Sequence, residues 1–385
     1  MLEFPCYFSL KWFMKTKIVL AGGGTGGHLF PLITVMKKIQ EDFGHSETIE
    51  FLYIGPDGIM EKTILEKTGV QRKIIFCGKL RRYFSLLYLI DLIKFPIGII
   101  QSLWYLWLYM PDVVFAKGGY ASVPVVLAAK IYAIPVIIHE SDTVPGLANK
   151  FLGSIVDRVA ITFERAKMYF PSQKVFLSGL PVRKELLNGN PETARQILHL
   201  EKNKPVLLIL GGSQGAEFIN NKVINLLKKL TKKFQIIHQT GEKNFDRVVY
   251  QAKQIGFSNG QNGYYPIAFI GEEMKDFLAL ADIVLARSSA THIAEIAACR
   301  KPLIVVPGSF SANNHQFINA RELSLSEAAI VIEESNLTEN IFLNFLDKLL
   351  NDQSYAQKLV ANLSKFYIPS ADKLLAEEIM TLAKK

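Results

Sequence analysis

The sequence predicts an α/β protein made of two doubly wound parallel domains in tandem, facing each other across a cleft. Three observations carry that reading. Short, continuously apolar, β-rich runs alternate with helical stretches, the pattern of strands buried on both faces. The alternation restarts near the middle, after the Pro-bearing segment Gly179–Leu186, GLPVRKEL. Each series also opens the same way, with a strand running into a glycine-rich turn and then a helix. A chain of 385 residues has room for two or three folding units.

In chain order, the first thirteen residues read as an extension that carries no chemistry, ahead of a natural start at Met14-Lys15-Thr16-Lys17. They lack the continuous apolar core and small-residue cleavage site of a signal peptide. The first series has strands at Lys17–Ala21, Glu50–Ile54, Val113–Ala116, Val136–His139 and Arg158–Thr162. The second has Val206–Leu210, Gln235–Gln239, Ala268–Ile270, Ile283–Ala286, Leu303–Val306 and the short Ile330–Ile332. The last stretch, Asn351–Lys385, is helical in pattern. Hydrophobic residues make up 49% and charged ones 21%, which excludes disorder and collagen-like repeats. The three cysteines (Cys6, Cys77, Cys299) are far apart and odd in number, so they read as reduced thiols. Neither CxxC nor HExxH occurs, and no metal site is expected.

The two glycine turns are IVLAGGGTGGHLFP and VLLILGGSQGAEF. Glycine there lets backbone N–H groups approach a ligand at the positive end of the next helix. In open parallel sheets ligands lie at the carboxyl ends of strands, so two facing domains present two such loops to one cleft. There is no GxxxxGK[ST]. The spacing of Gly22, Gly24 and Gly27 resembles a dinucleotide fingerprint, but the second strand ends FLYIGPDG with no acidic residue in the ribose position.

Residues 79–110 form an amphipathic basic segment, KLRRYFSLLYLIDLIKFPIGIIQSLWYLWLYM. From Leu86 to Met110 only Asp91 and Lys94 are charged, so the run is long enough to span a bilayer. Asp91, Lys94 and Pro96 sit together inside it, however, and the α/β series continues on both sides. The segment therefore reads as one or two helices exposing an apolar face with Leu86, Trp104 and Trp107, flanked by Lys79, Arg81 and Arg82. That suits docking on anionic lipid, with ordinary packing against the sheet as the alternative. Nucleic acid is not expected, because the aromatics sit among aliphatics and not between basic residues. The net charge of +9, from 44 Lys+Arg against 35 Asp+Glu, is consistent with an acidic surface as partner.

The stretch 280–320 is the most informative. A strand ends at Ala286, and Arg287-Ser288-Ser289-Ala290-Thr291 leads into a helix that carries Glu295. Such a helix start offers N–H groups and hydroxyls to a diphosphate, and Glu295 is spaced for a ribose diol. After the strand PLIVVPG, Asn313, Asn314, His315 and Gln316 suit sugar hydroxyls, with helix capping the alternative for each amide. With Ser213 and Gln214 on the glycine loop they suggest a nucleotide-sugar pocket. No DxD occurs, so helix N-termini, hydroxyls and a cation such as Arg183 must stabilise a departing diphosphate.

AGGGTGGHLFP, FAKGGYASVPVVLAA, IPVIIHESDTVPGLANK, GLPVRKEL, LGGSQGA, RSSATHIAEIA and HQFINA occur in this order, and together they resemble the MurG family over residues 15–380. The resemblance implies a GT-B fold of two Rossmann-like domains. It places an acceptor and membrane-docking domain at 14–182, a UDP-GlcNAc domain at 183–358 and a C-terminal helix at 359–385 crossing back to the first. It implies transfer of GlcNAc from UDP-GlcNAc to lipid I, giving lipid II with inversion and without metal or cofactor. The setting implied is peripheral, on the cytoplasmic face of the cell membrane, with other cell-wall synthesis and division proteins nearby. A different GT-B acceptor, a nicotinamide reductase and a binding module without turnover are the rival readings.

By the same resemblance, Thr25, Gly26 and Gly27 lie beside the donor, and His28 is the candidate general base with Glu140 the alternative. Arg183, Ser213 and Gln214 contact the donor, Ile270 touches the uracil, and Ala290, Thr291, His292, Ile293, Ala294 and Glu295 hold ribose and diphosphate. Gln316 reads the sugar, while Gly118, Gly119 and Tyr120 line the acceptor side. Asp142 stands where many members have asparagine in HEQN, which leaves its donor contact open. Histidine suits the base role because its ordinary pKa lies near neutrality, and a nearby helix N-terminus disfavours its protonated form.

Overall fold

The computed structural model describes residues 15–24, 26–78, 87–212, 215–258, 260–309 and 314–385. The first series runs β1 (Lys15–Ala21), α1 (Gly26–Phe43), β2 (Thr48–Gly55), α2 (Ile59–Thr68), β3 (Gln71–Ile74), α3 (Leu87–Tyr109), β4 (Val113–Ala116) and α4 (Ser122–Ile131). It ends with β5 (Val136–Glu140), α5 (Leu147–Leu152), β6 (Arg158–Ile161) and β7 (Val175–Leu177). These strands form a seven-stranded sheet, β3-β2-β1-β4-β5-β6-β7, with every pair parallel.

The second series runs α6 (Pro191–Leu198), β8 (Val206–Leu210), α7 (Glu217–Lys233), β9 (Gln235–Gln239), α8 (Phe245–Gln254), β10 (Tyr264–Ile267), α9 (Met274–Leu280) and β11 (Ile283–Ala286). After it come α10 (Ala290–Ala298), β12 (Leu303–Val305), α11 (His315–Leu325), β13 (Ile330–Val331), α12 (Glu339–Asn351), α13 (Gln353–Leu363) and α14 (Ala371–Ala383). Its sheet is six-stranded and parallel, β10-β9-β8-β11-β12-β13.

Both sheets are doubly wound about a central strand pair whose sequence neighbours lie on opposite sides: β1/β4 in the first and β8/β11 in the second. Such a reversal opens a crevice at the carboxyl ends of the strands. The turn after Ala21 and the segment after Ala116 meet at one crevice; the turns after Leu210 and Ala286 meet at the other. Strands β4, β8 and β11 are buried along their whole length, and β1 from Ile18 onward, as the continuous apolar runs required.

Three strands depart from the sequence reading. β3 (QRKI) and β7 (VFL) are sheet edges too polar or too short to show a strand pattern. The strand expected at Ala268–Ile270 lies earlier, at Tyr264–Ile267. Pro266 hides it, and is tolerated because β10 is an edge strand that pairs with β9 alone. The C-terminal stretch is not one helix: α13 ends in a turn at Ser364–Phe366, and α14 then crosses to the first domain. There Leu375, Ala376, Ile379 and Met380 join the core formed by Ile18, Leu20, Leu29 and Leu32, and Glu378 pairs with Arg158 at 2.7 Å.

Helix α3 packs one side on the domain, with Ser102 and Leu106 fully buried. Its outer side exposes Ile93, Ile97, Ile100, Trp104 and Trp107, recurring every three or four residues as one stripe. The two indoles lie 5.4 Å apart. No helix among the described residues is long and apolar enough to cross a membrane. Lys79, Arg81, Arg82 and Leu86, expected beside this stripe, lie outside the described residues, as does the extension 1–13.

Candidate active site

At the first crevice the chain turns sharply through Gly22, Gly23 and Gly24 into α1. Gly23 has φ +121°, and a Cβ there would collide with Tyr53 Oη, so only glycine fits. The turn is held from behind: Tyr53 donates to Gly22 O at 2.6 Å, and Gly24 N–H donates to Glu61 Oε1 at 2.5 Å. His28, on the first turn of α1, places its ring between the two loops of the crevice. Its Nδ1 lies 3.4 Å from Lys117 O, a long contact. A carbonyl only accepts, so the ring donates through Nδ1 and keeps Nε2 as the unprotonated nitrogen. Burial first, and the Lys117 charge second, push the His28 pKa down to about 4. The ring is neutral, as expected, but desolvation and a buried cation make it so.

The GGY segment after β4 covers this ring. Gly118 (φ +85°) cannot carry a side chain, because a Cβ would lie 2.5 Å from Asn149 Nδ2. A Cβ at Gly119 would sit 3.5 Å from His28 Nε2, and one at Gly24 3.4 Å from Tyr120 Oη. Gly118, Gly119 and Tyr120 thus adjoin both His28 and the glycine turn.

Glu140, at the end of β5, is buried and fully engaged. Its Oε1 accepts from Asp142 N–H at 2.8 Å; its Oε2 accepts from Gly146 N–H at 3.1 Å and Asn149 Nδ2 at 2.9 Å. Burial, then the neighbouring Asp142, lift its carboxyl above the usual range. Three donors on one carboxylate organise the loop 141–149 and leave Glu140 poorly disposed to take a proton from an acceptor. His28, by contrast, spends only Nδ1 on a neighbour.

At the second crevice Ser289 caps α10, its Oγ accepting from His292 N–H at 3.3 Å. Ala290 and Thr291 keep N–H groups without intrahelical partners, the donors a phosphate needs. Ile293 and Ala294 pack into the core. His292 lies against the second glycine turn: a Cβ at Gly212 would be 3.8 Å from its Cε1. Glu295, 7% exposed, is engaged through one oxygen. Its Oε1 accepts from Arg183 Nη2 at 2.9 Å and Nε at 3.2 Å. Arg183 also lies over the Phe30 ring of the first domain, 4.5 Å from its centroid. The cation expected to face phosphate is thereby fixed between the two domains by its neighbours, and Oε2 of Glu295 lies outside that pair.

Gln316, on α11, accepts Gly308 N–H at 2.9 Å through Oε1, and its backbone O accepts Ser288 Oγ at 2.7 Å. It ties the turn after β12 to the turn after β11. Ile270 is core, 3% exposed, in the turn after β10, and its backbone N–H donates to Gln239 Oε1 at 3.4 Å. Thr25, Ser213, Gln214 and Asn313 lie outside the described residues.

Two functional candidates went unread in the sequence. Lys117, 1% exposed, lies buried beneath the loop that begins at Ser141, and Asn319, fully buried, joins the two domains. Both sat inside motifs already singled out. Lys117 ends the apolar run VVFAK, and Asn319 follows Gln316 by three residues, on the same helix face.

The chain matches the glycosyltransferase family 28 N-terminal domain over residues 18–161 and the glycosyltransferase family 28 C-terminal domain over residues 206–375. Among curated relatives, the UDP-N-acetylglucosamine–N-acetylmuramyl-(pentapeptide) pyrophosphoryl-undecaprenol N-acetylglucosamine transferase of Clostridium kluyveri is 37% identical over 348 residues, 90% of this chain and 95% of that protein. The protein of the same name from Bacillus licheniformis is 35% identical over 93% of this chain and 96% of its own length. The chain belongs to the MurG family. Its fold is shared by MurG of Acinetobacter baumannii, at TM-score 0.71 and 23% identity over 95% of this chain and 99% of that one. It is shared equally by a UDP-GlcNAc 2-epimerase of Neisseria meningitidis solved with UDP-GlcNAc, at TM-score 0.66 and 15% identity over 96% of this chain and all of that one. Family membership therefore rests on the sequence match, and the GT-B architecture is common to both kinds of enzyme.

Proposed function

We propose that this chain transfers GlcNAc from UDP-GlcNAc to the MurNAc 4-hydroxyl of lipid I, undecaprenyl-pyrophosphoryl-MurNAc-pentapeptide, giving lipid II with inversion at the anomeric carbon. Relatives at 35–37% identity bear that transferase name. The observation that carries the reading is the facing of two crevices of opposite chemistry: a neutral histidine with a free Nε2 in one, and an open helix N-terminus beside Arg183 and Glu295 in the other. In this scheme the Ala290 and Thr291 N–H groups and Arg183 take the charge that develops on the diphosphate as the C–O bond breaks. Glu295 receives the ribose diol, Gln316 the sugar hydroxyls. His28 removes the acceptor's proton as its oxygen attacks. Gly118, Gly119 and Tyr120 border the acceptor.

Transfer of radiolabelled GlcNAc to a lipid I analogue tests donor and acceptor together. The rate in EDTA is expected to equal that in Mg²⁺, because cationic and N–H groups already face the leaving group. A wild-type chain that binds UDP-GlcNAc and transfers nothing sinks the reading, and a more than tenfold loss in EDTA sinks its metal independence.

The α3 stripe supports peripheral attachment to an anionic membrane at its cytoplasmic face, where a lipid-borne acceptor is presented. Trp104→Asp with Trp107→Asp is expected to weaken binding to phosphatidylglycerol vesicles at least tenfold. The melting temperature stays put, since both rings are more than half exposed. Unchanged vesicle binding removes α3 from the docking surface.

A further inference from the structure

Lys117 presents a problem of charge. It is 1% exposed, at the carboxyl end of a central strand, and its Nζ donates to Ser141 Oγ at 2.7 Å. A buried ammonium is costly without an opposite charge close by. Two carboxylates face it, Glu140 and Asp142. Glu140 is already satisfied by three neutral N–H donors. Asp142 is different: its carboxylate reaches out of the first domain and its Oδ1 accepts from Asn319 Nδ2 of α11 at 2.8 Å.

Asn319 is fully buried and spends its whole amide on this junction. Its Oδ1 accepts Thr143 N–H at 3.0 Å, and its Nδ2 also donates to Ser288 O at 3.1 Å, in the turn that leads to α10. One side chain of the second domain thus reads two consecutive residues of the first, while gripping the turn that presents the diphosphate-facing helix. Asp142 thus lies between Asn319 of the second domain and the buried Lys117 of the first.

We propose that Lys117 is a positioning residue: its buried ammonium is the countercharge that keeps the Asp142 carboxylate turned toward Asn319, and so sets how the second domain is seated over His28. Aspartate at 142 and lysine at 117 are then one device, each requiring the other, and Asp142 serves as the interdomain contact in place of a donor-sugar ligand. Burial draws the Lys117 ammonium below the usual lysine range while Glu140 and Asp142 oppose that shift. The other titratable groups in the cluster are His28 from α1 and His139 on β5, which feel the Lys117 charge, and His315 from α11, which faces His28.

The test compares wild type, Lys117→Met, Asp142→Asn and the double variant. Methionine fills the volume of the lysine stem without charge. In the wild-type background Lys117→Met is expected to lower the melting temperature by roughly 5 °C at pH 7.5. In the Asp142→Asn background it costs less than half of that. The gap between wild type and Lys117→Met narrows at pH 5.5, because Glu140, whose carboxyl burial already lifts above the usual range, then takes up a proton once the lysine charge is gone. Equal losses in both backgrounds, a gap indifferent to pH, or failure to fold in both backgrounds makes Lys117 a packing residue and overturns the proposal. These melts need no substrate, so their failure is separable from failure of the transfer reading. A second arm does rest on that reading: Asn319→Ala cuts the junction together with one bond to Ser288 O, while the Ala290 and Thr291 N–H groups stay in place on α10, so kcat falls at least tenfold with the KM for UDP-GlcNAc changed less than threefold. A raised KM at unchanged kcat would instead make Asn319 a donor ligand and end the positioning role.

Discussion

Replacing His28 by alanine slows GlcNAc transfer about a hundredfold while UDP-GlcNAc still binds, the loss expected when a positioned general base is removed. In the proposed scheme the contacts to the donor's ribose and diphosphate lie on the other domain, so kcat carries the effect and the donor KM does not. The pH profile follows from the sign of the shift. His28 is held down at about 4 by burial and Lys117, and a base works in its deprotonated form. In the free enzyme its acid limb therefore lies near pH 4, below that of an ordinary histidine, and kcat/KM holds level through neutrality on that side. Once the anionic diphosphates of donor and acceptor are bound beside the ring, its protonated form is favoured again. The acid limb of kcat is accordingly expected at higher pH than that of kcat/KM, and a stronger base is delivered only in the loaded enzyme. Equal rates for wild type and His28→Ala, or an acid limb of kcat/KM unchanged by the mutation, remove the histidine from the chemistry.

Glu295→Ala raises the KM for UDP-GlcNAc by roughly thirtyfold, corresponding to about 2 kcal/mol for hydrogen bonds to a largely buried charged group. Two losses combine. The ribose diol forfeits its acceptor, and Arg183 is left over Phe30 without its carboxylate. Glu295→Gln keeps an acceptor oxygen but no countercharge, so it falls between wild type and alanine. The measurement is donor KM by initial rates together with direct UDP binding by calorimetry. Unaltered UDP binding in Glu295→Ala would detach this helix from the donor site and undo the assignment of the second crevice.

The element pattern was legible wherever a strand is central. Val113–Ala116, Val206–Leu210, Gln235–Gln239 and Ile283–Ala286 occur where the apolar runs place them, because strands covered by helices on both faces need continuous apolar sequence. Edges escaped that logic. QRKI has one open side, and YYPI carries a proline that an interior strand would reject. Of the candidate site, the glycine turns and the Ser289 cap were readable, since each is a local backbone requirement written in adjacent residues. Lys117 was not. A lysine at the end of an apolar run looks like a strand terminus reaching water until the loop 141–149 and α11 are seen to close over it.

By itself, then, the chain's order of residues determined the two parallel sheets, the reversal points that open a crevice in each, and which helix starts face them. Those follow from burial periodicity and short-range backbone chemistry. Tertiary structure alone decided which charge meets which: Arg183 with Glu295, 112 positions apart, and Asp142 with Asn319, 177 apart. It also supplied the cause of His28's neutrality, burial and a lysine that follows β4. Coulomb and desolvation energies depend on distance and exposure in space, and neither quantity is encoded in the spacing along a chain.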